Sequence, residues 1–187
     1  MNSISSSKSI NLSGNLSVPG DKSISHRSLI IGSLVSGRIE INNLLESEDV
    51  IATAEALKIL GVKINKLNDK WEVFGSGIGN FFGSNYTLNM GNSGTGARLL
   101  MGLVAGSDVE ATFIGDESLS KRPMKRVTVP LKKTGAIIVG QSDNLPIKIR
   151  GNHIPLPIKY QSPISSAQVK SSILLAGLSS LGNTTII

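Results

Sequence analysis

Basic and hydroxyl-bearing side chains crowd together early in the chain, directly after a Pro-Gly pair. The stretch "PGDKSISHR" (19–27) contains Lys22, Ser23, Ser25, His26 and Arg27. Lysine supplies a compact charge and arginine a planar fork of donors, and both suit phosphate or carboxylate groups. A helix beginning here would add unpaired N–H groups and a partial positive charge. The pattern predicts an anion-binding site; the alternative for this segment alone is an ordinary capped helix with a solvated basic face.

Two later segments repeat this plan. "KSISHRSLIIGSLVSG" (22–37), "NSGTGARLLMGLVAG" (92–106) and "SSAQVKSSILLAGLSSLG" (165–182) each open on a polar residue, carry a cation nearby, continue as an apolar run and end in glycine. These features are typical of an N-cap, a helix with a buried face and a C-cap. Ser23, Ser93 and Ser166, which we expect at the helix starts, are 70 and 73 positions apart. The spacing predicts an internal repeat of about 70 residues, and three such segments favour the anion-binding hypothesis.

The segments between these helices also follow a common order. In the first unit we predict a strand at 37–44, a helix at 47–61, a strand pair at 62–67 and 70–75, and a further strand at 85–90. In the second we predict a strand at 109–115, a helix at 122–135 with Pro123 in its first turn, and a strand pair at 136–140 and 146–150. Pro130 should kink or restart that second helix. The third unit supplies its helix and the beginning of a strand at 183–187, so we expect the chain to be a fragment of a longer protein, although a natural edge strand is the alternative.

Composition limits the classes of function. The chain has 187 residues, 40% hydrophobic content, a formal charge of +6 and no cysteine. The missing cysteines exclude disulfides, thiolate metal sites and cysteine nucleophiles, and we expect neither a metal nor a cofactor. Excess positive charge attracts anions such as nucleic acid, anionic lipid or phosphorylated metabolites. Aromatic residues make up only 4% of the chain and lie away from the basic clusters, so small anions are favoured over nucleic acid.

The beginning of the chain has no continuous apolar core, and no apolar run approaches the ~18 residues needed to cross a bilayer. We therefore expect a soluble cytoplasmic protein without a membrane partner. The glycines of "GNSGTGAR" (91–98) have P-loop spacing, but Ala97-Arg98 replaces the required Lys-Ser/Thr, which excludes a nucleotide P-loop. Gly94 and Gly96 would still allow a ligand to approach the backbone closely.

Four motifs, "PGDKSISHR", "GNSGTGAR", "SLSKRPM" and "SAQVKSSILLAGL", together resemble the 5-enolpyruvylshikimate-3-phosphate (EPSP) synthase family. The resemblance implies an α/β enolpyruvyl transferase fold, in which each lobe is an inside-out α/β barrel of repeated helix–strand–helix–strand–strand units. It covers an incomplete N-terminal lobe at 19–187, with repeats at about 19–91, 92–160 and 161–187. Residues 1–18 would form a strand segment of the second, C-terminal lobe.

The implied reaction transfers the enolpyruvyl group of phosphoenolpyruvate to the 5-hydroxyl of shikimate 3-phosphate and releases phosphate. By motif position, Lys22, Ser23, Arg27, Ser166, Ala167 and Gln168 should bind shikimate 3-phosphate. Phosphoenolpyruvate should contact Lys22, Gly94, Arg122 and Gln168, and Lys22 should be the catalytic residue. Asn92, Thr95 and Arg98 would shape the glycine loop, His26 would be structural and His153 a loop residue. The family's acid–base carboxylates would lie in the second lobe, so this chain should bind substrate without turnover.

The sequences "TGAR" and "SLSKRPM" resemble those of the bacterial class first noted for tolerance of the inhibitor glyphosate. Tolerant members can carry alanine at the position of Gly94, so the glycine leaves tolerance open. Two other functions also stay open. One is the sister transferase acting on UDP-N-acetylglucosamine, whose usual reactive cysteine is missing here; the other is a non-catalytic anion-binding module.

Overall fold

A computed structural model of the chain describes residues 3–140 and 143–187, which form a mixed α/β structure. The helices of these residues are α1 (Lys22–Leu34), α2 (Glu48–Ile59), α3 (Gly94–Ala105), α4 (Glu117–Ser120), α5 (Lys125–Lys133) and α6 (Ala167–Gly177). The strands are β1 (Ser36–Asn42), β2 (Lys63–Leu67), β3 (Lys70–Ser76), β4 (Phe82–Asn89), β5 (Asp108–Ile114), β6 (Ile137–Gly140), β7 (Ile147–Arg150), β8 (Lys159–Tyr160) and β9 (Thr185–Ile186). The predicted fold class is confirmed, and the short α4 and β8 are additional to the predicted elements.

Side-chain caps begin the three repeated helices, although one cap is not the predicted residue. Ser93 accepts a hydrogen bond from the Gly96 amide at 3.2 Å, and Ser166 accepts one from Val169 at 3.4 Å. In α1 the cap is Asp21, whose Oδ1 accepts from the Ile24 amide at 2.8 Å. Aspartate caps as well as serine does, and the prediction of Ser23 was therefore wrong by two positions.

Among the three repeated helices, the predicted glycine end holds for α3 alone. Gly106 is the C-cap of α3, whereas α1 ends at Leu34 and α6 at Gly177. After α1 the chain becomes extended at Val35 and enters β1 at once. Pairing with β3 begins at Ser36, so sheet formation ends α1 before Gly37 is reached.

The second helices of the first two repeats also differ in detail from the prediction. Ser47 lies at the cap position of α2 without making a side-chain hydrogen bond to the helix, and Gly61 follows the helix at φ +94°. Helix α5 begins at Lys125, two residues after Pro123. Pro130 lies inside α5 without restarting it. The carbonyl that a proline at this position cannot pair belongs to Arg126, an exposed residue in the first turn, where water can replace the lost bond.

The strands of the described residues form three small sheets. The first has the order β1-β3-β2 and is antiparallel throughout. The second has the order β4-β5-β7-β6, in which β4 and β5 are parallel and the other pairs antiparallel. The third consists of the parallel pair β8-β9. The predicted strand pairs at 62–75 and 136–150 are therefore confirmed as β2-β3 and β6-β7.

Strands at the expected ends of the first two repeats pair with strands of the repeat that follows. We expected β4 to close the first repeat at about residue 91, but it pairs with β5 in the second sheet. Similarly, β8 lies at the end of the expected second repeat and pairs with β9 in the third sheet. Parallel strands require a crossover connection, and α3 and α6 are the helices within these two crossovers. In both cases a strand, a basic helix and a second strand form one crossover unit, while the division of the chain into repeats stays a prediction.

Helix α3 lies at the centre of the core. Ten of its twelve residues are buried, as expected for a helix that is hydrophobic all round. Its packing against α6 depends on glycine: a Cβ on Gly102 would lie 2.2 Å from the carbonyl oxygen of Ser172, and one on Gly106 would lie 2.6 Å from that of Ala176. The missing side chains let the two helix backbones approach closely along the second halves of α3 and α6.

The N-terminal segment stands apart from the core. Residues 3–18 are exposed and contain neither a helix nor a strand, while residues 1 and 2 of the predicted strand segment lie outside the described residues. The strand predicted within 1–18 does not form in the described part, and its assignment to a second lobe stays a prediction. Within the described residues, no helix combines the length and hydropathy needed to span a membrane.

Candidate functional site

Helix α1 presents Lys22 and Ser23 to solvent in its first turn. Asp21 caps this turn, and the Ser25 hydroxyl donates to the Asp21 carbonyl at 2.8 Å. The same hydroxyl accepts from the Leu45 amide at 3.0 Å, which fixes the helix start to the loop after β1. Lys22 forms an ion pair with Asp49 of α2 while half of its side chain stays exposed. The lysine is thus held in place and remains accessible.

Arg27 crosses from α1 to α6. One terminal nitrogen of its guanidinium donates to the Ser23 carbonyl at 3.1 Å, and the other donates to the Ser171 hydroxyl at 3.0 Å. Both partners are neutral, so they orient the guanidinium without cancelling its charge. Ser171 was not predicted as a site residue; the one sequence signal for it is its spacing of three and four positions from Gln168 and Ala167, which places it on their face of α6.

The glycine loop at the start of α3 faces two arginines. A Cβ added to Gly94 would lie 2.9 Å from Nη1 of Arg98 and 3.3 Å from Nη1 of Arg122. Arg98 Nη1 also donates to the Gly94 carbonyl at 3.1 Å. A side chain at position 94 would therefore displace guanidinium groups, and glycine leaves this space open.

Arg122 is held by Asn92 of the same loop. Its Nη2 donates to Asn92 Oδ1 at 2.6 Å and to the Ser118 hydroxyl at 3.1 Å. The Asn92 amide in turn donates to Asp116 Oδ2 at 2.7 Å. Hydrogen bonds from the Leu119 backbone amide and from Asn92 hold the pKa of the Asp116 carboxyl below its usual range. Asp116 therefore orients Asn92 as a charged carboxylate. Asn92, for which ligand contact and a structural role were both open, thus makes a hydrogen bond that orients Arg122.

The start of α6 is joined to α3 by Gln168. Its Oε1 accepts from Arg98 at 3.1 Å, and its Nε2 donates to the Thr95 hydroxyl at 3.0 Å. These two bonds fix the orientation of the Gln168 amide. Ser166 uses its hydroxyl as the cap of α6, and Ala167 is the exposed first residue of that helix.

The arginines of the site, unlike Lys22, have no carboxylate partner among the described residues. Within residues 3–140 and 143–187, no ion pair within 4.0 Å involves Arg27, Arg98 or Arg122. Burial, with the nearby charges of Arg122 and Arg126, lowers the pKa of the Arg98 guanidinium, which stays protonated at neutral pH. A cluster of cations with neutral partners favours an anionic ligand.

Two histidines have the structural settings expected for them. His26 is fully buried and its Nδ1 lies 2.8 Å from the Thr53 hydroxyl. His153 is exposed in the loop between β7 and β8. Among the described residues no cluster of three or more His, Cys, Asp or Glu could hold a metal ion.

The structure thus joins the starts of α1, α3 and α6, which carry most of the predicted site residues. Arg27–Ser171 connects α1 to α6, and Arg98–Gln168 connects α6 to α3. Sequence reasoning missed several partners of these residues. Asp49, Thr53 and Asp116 lie outside the quoted motifs, whereas Ser118 and Ser171 lie inside two of them without having been assigned a role. Such an arrangement can bind and orient an anion with several phosphate or carboxylate groups.

Comparison with known proteins agrees with this arrangement. The family model described as EPSP synthase (3-phosphoshikimate 1-carboxyvinyltransferase) matches residues 7–187. The chain is 53% identical to the 3-phosphoshikimate 1-carboxyvinyltransferase of Rhodospirillum rubrum over 186 residues, and 50% identical to that of Rhizobium johnstonii over 181 residues. These matches cover 96% of this chain and 41% or 40% of the relatives. The solved EPSP synthase of Acinetobacter baumannii superimposes with a TM-score of 0.86 at 41% identity, covering 92% of this chain and 40% of that one. The chain therefore spans about two fifths of the length of these relatives.

Proposed function

Because the chain belongs to the EPSP synthase family, as its four motifs predicted, we propose that it forms the substrate-binding N-terminal part of a 3-phosphoshikimate 1-carboxyvinyltransferase. The whole enzyme would transfer the enolpyruvyl group of phosphoenolpyruvate to the 5-hydroxyl of shikimate 3-phosphate and release phosphate. Both substrates are polyanions. The observation that carries the proposal is the meeting of three helix starts around guanidinium groups that have neutral partners.

Shikimate 3-phosphate is assigned to the α1 and α6 side of the site. Arg27 and Lys22 supply charge, Ser23 and Ser166 supply hydroxyls, and Ala167 and the Gln168 amide complete the wall. The bond between Arg27 and Ser171 supports this assignment, because it directs a donor group of α1 towards α6. An anion held here would gain charge-assisted hydrogen bonds, each stronger than a neutral one.

Phosphoenolpyruvate is assigned to the glycine loop. Arg122 stands beside the open space at Gly94, and Arg98 borders the same space. Gln168 is bonded to Arg98 and so lies between the two subsites. Lys22, accessible beside Asp49, would serve both substrates. Glyphosate, an anion, would occupy the phosphoenolpyruvate subsite as an inhibitor.

Catalysis requires groups beyond those that the described residues offer. Three carboxylates near the basic groups are already engaged: Asp21 with the Ile24 amide, Asp49 with Lys22 and Asp116 with Asn92. A positioned general acid and base, together with closure over the substrates, would come from a C-terminal lobe of the same enzyme. We place the enzyme in the cytoplasm, where a shikimate pathway of aromatic biosynthesis would supply phosphorylated substrates.

Titration of the 187-residue chain tests this function. We expect calorimetry or NMR to detect binding of shikimate 3-phosphate to the chain at low salt. Phosphoenolpyruvate should bind at the neighbouring subsite. UDP-N-acetylglucosamine and a single-stranded oligonucleotide serve as competing ligands. Preference for UDP-N-acetylglucosamine would indicate the sister transferase, and preference for the oligonucleotide would indicate a nucleic-acid-binding module; either result contradicts the proposal.

A further inference from the structure

Helices α1 and α2 are joined by two side-chain pairs, one above the other. The outer pair is Lys22 with Asp49, and the inner pair is His26 with Thr53. His26 follows Lys22 by four positions on α1, and Thr53 follows Asp49 by four positions on α2. Residues four apart lie on one face of a helix, so the two pairs form successive contacts along the same interface.

We propose that His26 and Thr53 are positioning residues that determine the positions of Lys22 and Arg27 relative to the substrate anion. The inference rests on the proposed function and extends it to two buried residues outside the ligand contacts. Arg27 is the next residue after His26, and Lys22 lies one turn before it. A shift of α1 along α2 would therefore move both cations together.

The Thr53 hydroxyl is the hydrogen-bond partner on which the imidazole depends. It lies 3.3 Å from the Asp49 carbonyl, to which it can donate, and it then accepts from Nδ1–H of His26. The other ring nitrogen, Nε2, is buried and has no partner among the described residues. Without the hydroxyl, the buried ring would lose its side-chain partner, and an unpaired buried donor is unfavourable enough to shift the packing around it.

The first turn of α3 closes over the same hydroxyl. A Cβ on Gly96 would lie 2.4 Å from Thr53 Oγ1 and 2.7 Å from the Ser93 hydroxyl that caps α3. Three helices therefore meet at Thr53, and only a hydrogen fits between α3 and the hydroxyl. The pair is thus placed to fix α1 relative to the glycine loop as well as to α2.

Burial keeps the His26 imidazole neutral. Burial lowers the pKa of the imidazole to about 4; the nearby Asp49 carboxylate opposes this change, and the charges of Lys22 and Arg27 add to it. At neutral pH, His26 is an uncharged donor to Thr53. Its contribution to the site is therefore geometric, and the charge that meets the ligand comes from its neighbours.

The test compares Thr53→Val, which removes the hydroxyl but keeps the shape, with Thr53→Ser, which keeps the hydroxyl. Affinity for shikimate 3-phosphate is measured by calorimetry on folded protein, and unfolding by urea is measured separately. We expect Thr53→Val to weaken binding about tenfold, because small displacements of charged groups are costly. Thr53→Ser should restore affinity to within about twofold. Thr134→Val is the matched control: this buried hydroxyl bonds the Leu131 carbonyl outside the site, so its loss should affect stability alone.

A double-mutant cycle with Lys22→Ala separates positioning from general destabilisation. If Thr53 acts through Lys22, Thr53→Val should weaken binding less in the Lys22→Ala background than in the wild type. Unchanged affinity of Thr53→Val for shikimate 3-phosphate overturns this inference. Strict additivity in the cycle, together with an equal loss of affinity in Thr134→Val, also overturns it. Neither result bears on the proposed function. A wild-type chain that binds neither substrate contradicts the proposed function itself.

Discussion

Arg27 Nη2 donates to the Ser171 hydroxyl at 3.0 Å, joining two helices whose contacting residues are 144 positions apart. The serine orients the guanidinium and leaves its charge uncompensated. A ligand anion near this pair would therefore meet an arginine that is already ordered, which reduces the entropy lost on binding.

Arg27→Ala should weaken shikimate 3-phosphate binding far more than it destabilises the fold. A charge-assisted hydrogen bond contributes roughly 1.5–3 kcal/mol, so affinity should fall about tenfold to a hundredfold. Calorimetric titration beside thermal unfolding measures both effects. The control is Arg150→Ala, since Arg150 is exposed on β7, outside the candidate site. Unchanged affinity with a lowered melting temperature would show that Arg27 is structural.

Gly94→Ala should reduce glyphosate binding more than phosphoenolpyruvate binding. The added methyl would lie within 3.3 Å of guanidinium nitrogens of Arg98 and Arg122, which must move. Glyphosate is the longer ligand, so its affinity should fall more than that of phosphoenolpyruvate when the space at position 94 becomes smaller. Competition titration with both ligands measures the ratio. Gly32→Ala is the control, because an added Cβ there meets its nearest atom at an ordinary 3.5 Å. An equal loss for both ligands would count against Gly94 as part of the subsite wall.

The free energy of unfolding should decrease as the pH falls from about 6.5 to about 4. Burial lowers the pKa of His26 to about 4, whereas in the unfolded chain it would titrate near its ordinary value of 6.5. Between these values the unfolded state binds one more proton, so stability is fully present above pH 6.5 and is lost towards pH 4. The loss amounts to roughly 3 kcal/mol.

Urea unfolding at several pH values measures this slope, and His26→Gln should flatten it between pH 6.5 and 4.5. The Asp116, Glu40 and Glu46 carboxyls, whose pKa values are also lowered, should titrate mainly below this interval and leave a common slope in both proteins. An identical pH dependence in the variant and the wild type would disprove the buried neutral state of His26.

The chain as it stands should bind shikimate 3-phosphate weakly and release no phosphate from the two substrates. Lys22, Arg27 and Gln168 supply part of a site, but a positioned acid and base, worth about 10²–10⁴-fold, are not offered by the described residues. With one side of the site open to water, affinity should be about millimolar and should fall with salt, since charges are screened over ~10 Å at 0.1 M.

Titration at low and high salt, beside a phosphate-release assay, measures both parts of this prediction. Addition of the C-terminal portion of a related enzyme should restore turnover if the two parts dock. Rapid phosphate release by these 187 residues alone would contradict the assignment of the acid–base groups to a second lobe.

The sequence by itself determined the features that depend on local patterns. The caps Ser93 and Ser166, the stop at Gly61 and the strand pairs at 62–75 and 136–150 follow from neighbouring residues, and the four motifs identified the family. The local pattern did not determine which of two neighbouring residues, Asp21 or Ser23, caps α1. In the structure the helix begins at Lys22, so Asp21 lies at the cap position.

Tertiary structure decided which distant residues meet. The sheets of β4 and β8 depend on parallel partners beyond α3 and α6, and the chain order alone did not indicate these pairings. The contacts of Arg27 with Ser171 and of Arg98 with Gln168 depend on how closely the helices approach, which Gly102 and Gly106 allow for α3 and α6. Thr53 carries no chemical pattern in the sequence. Its importance comes from a position where α1, α2 and α3 converge, and only packing in three dimensions creates that position.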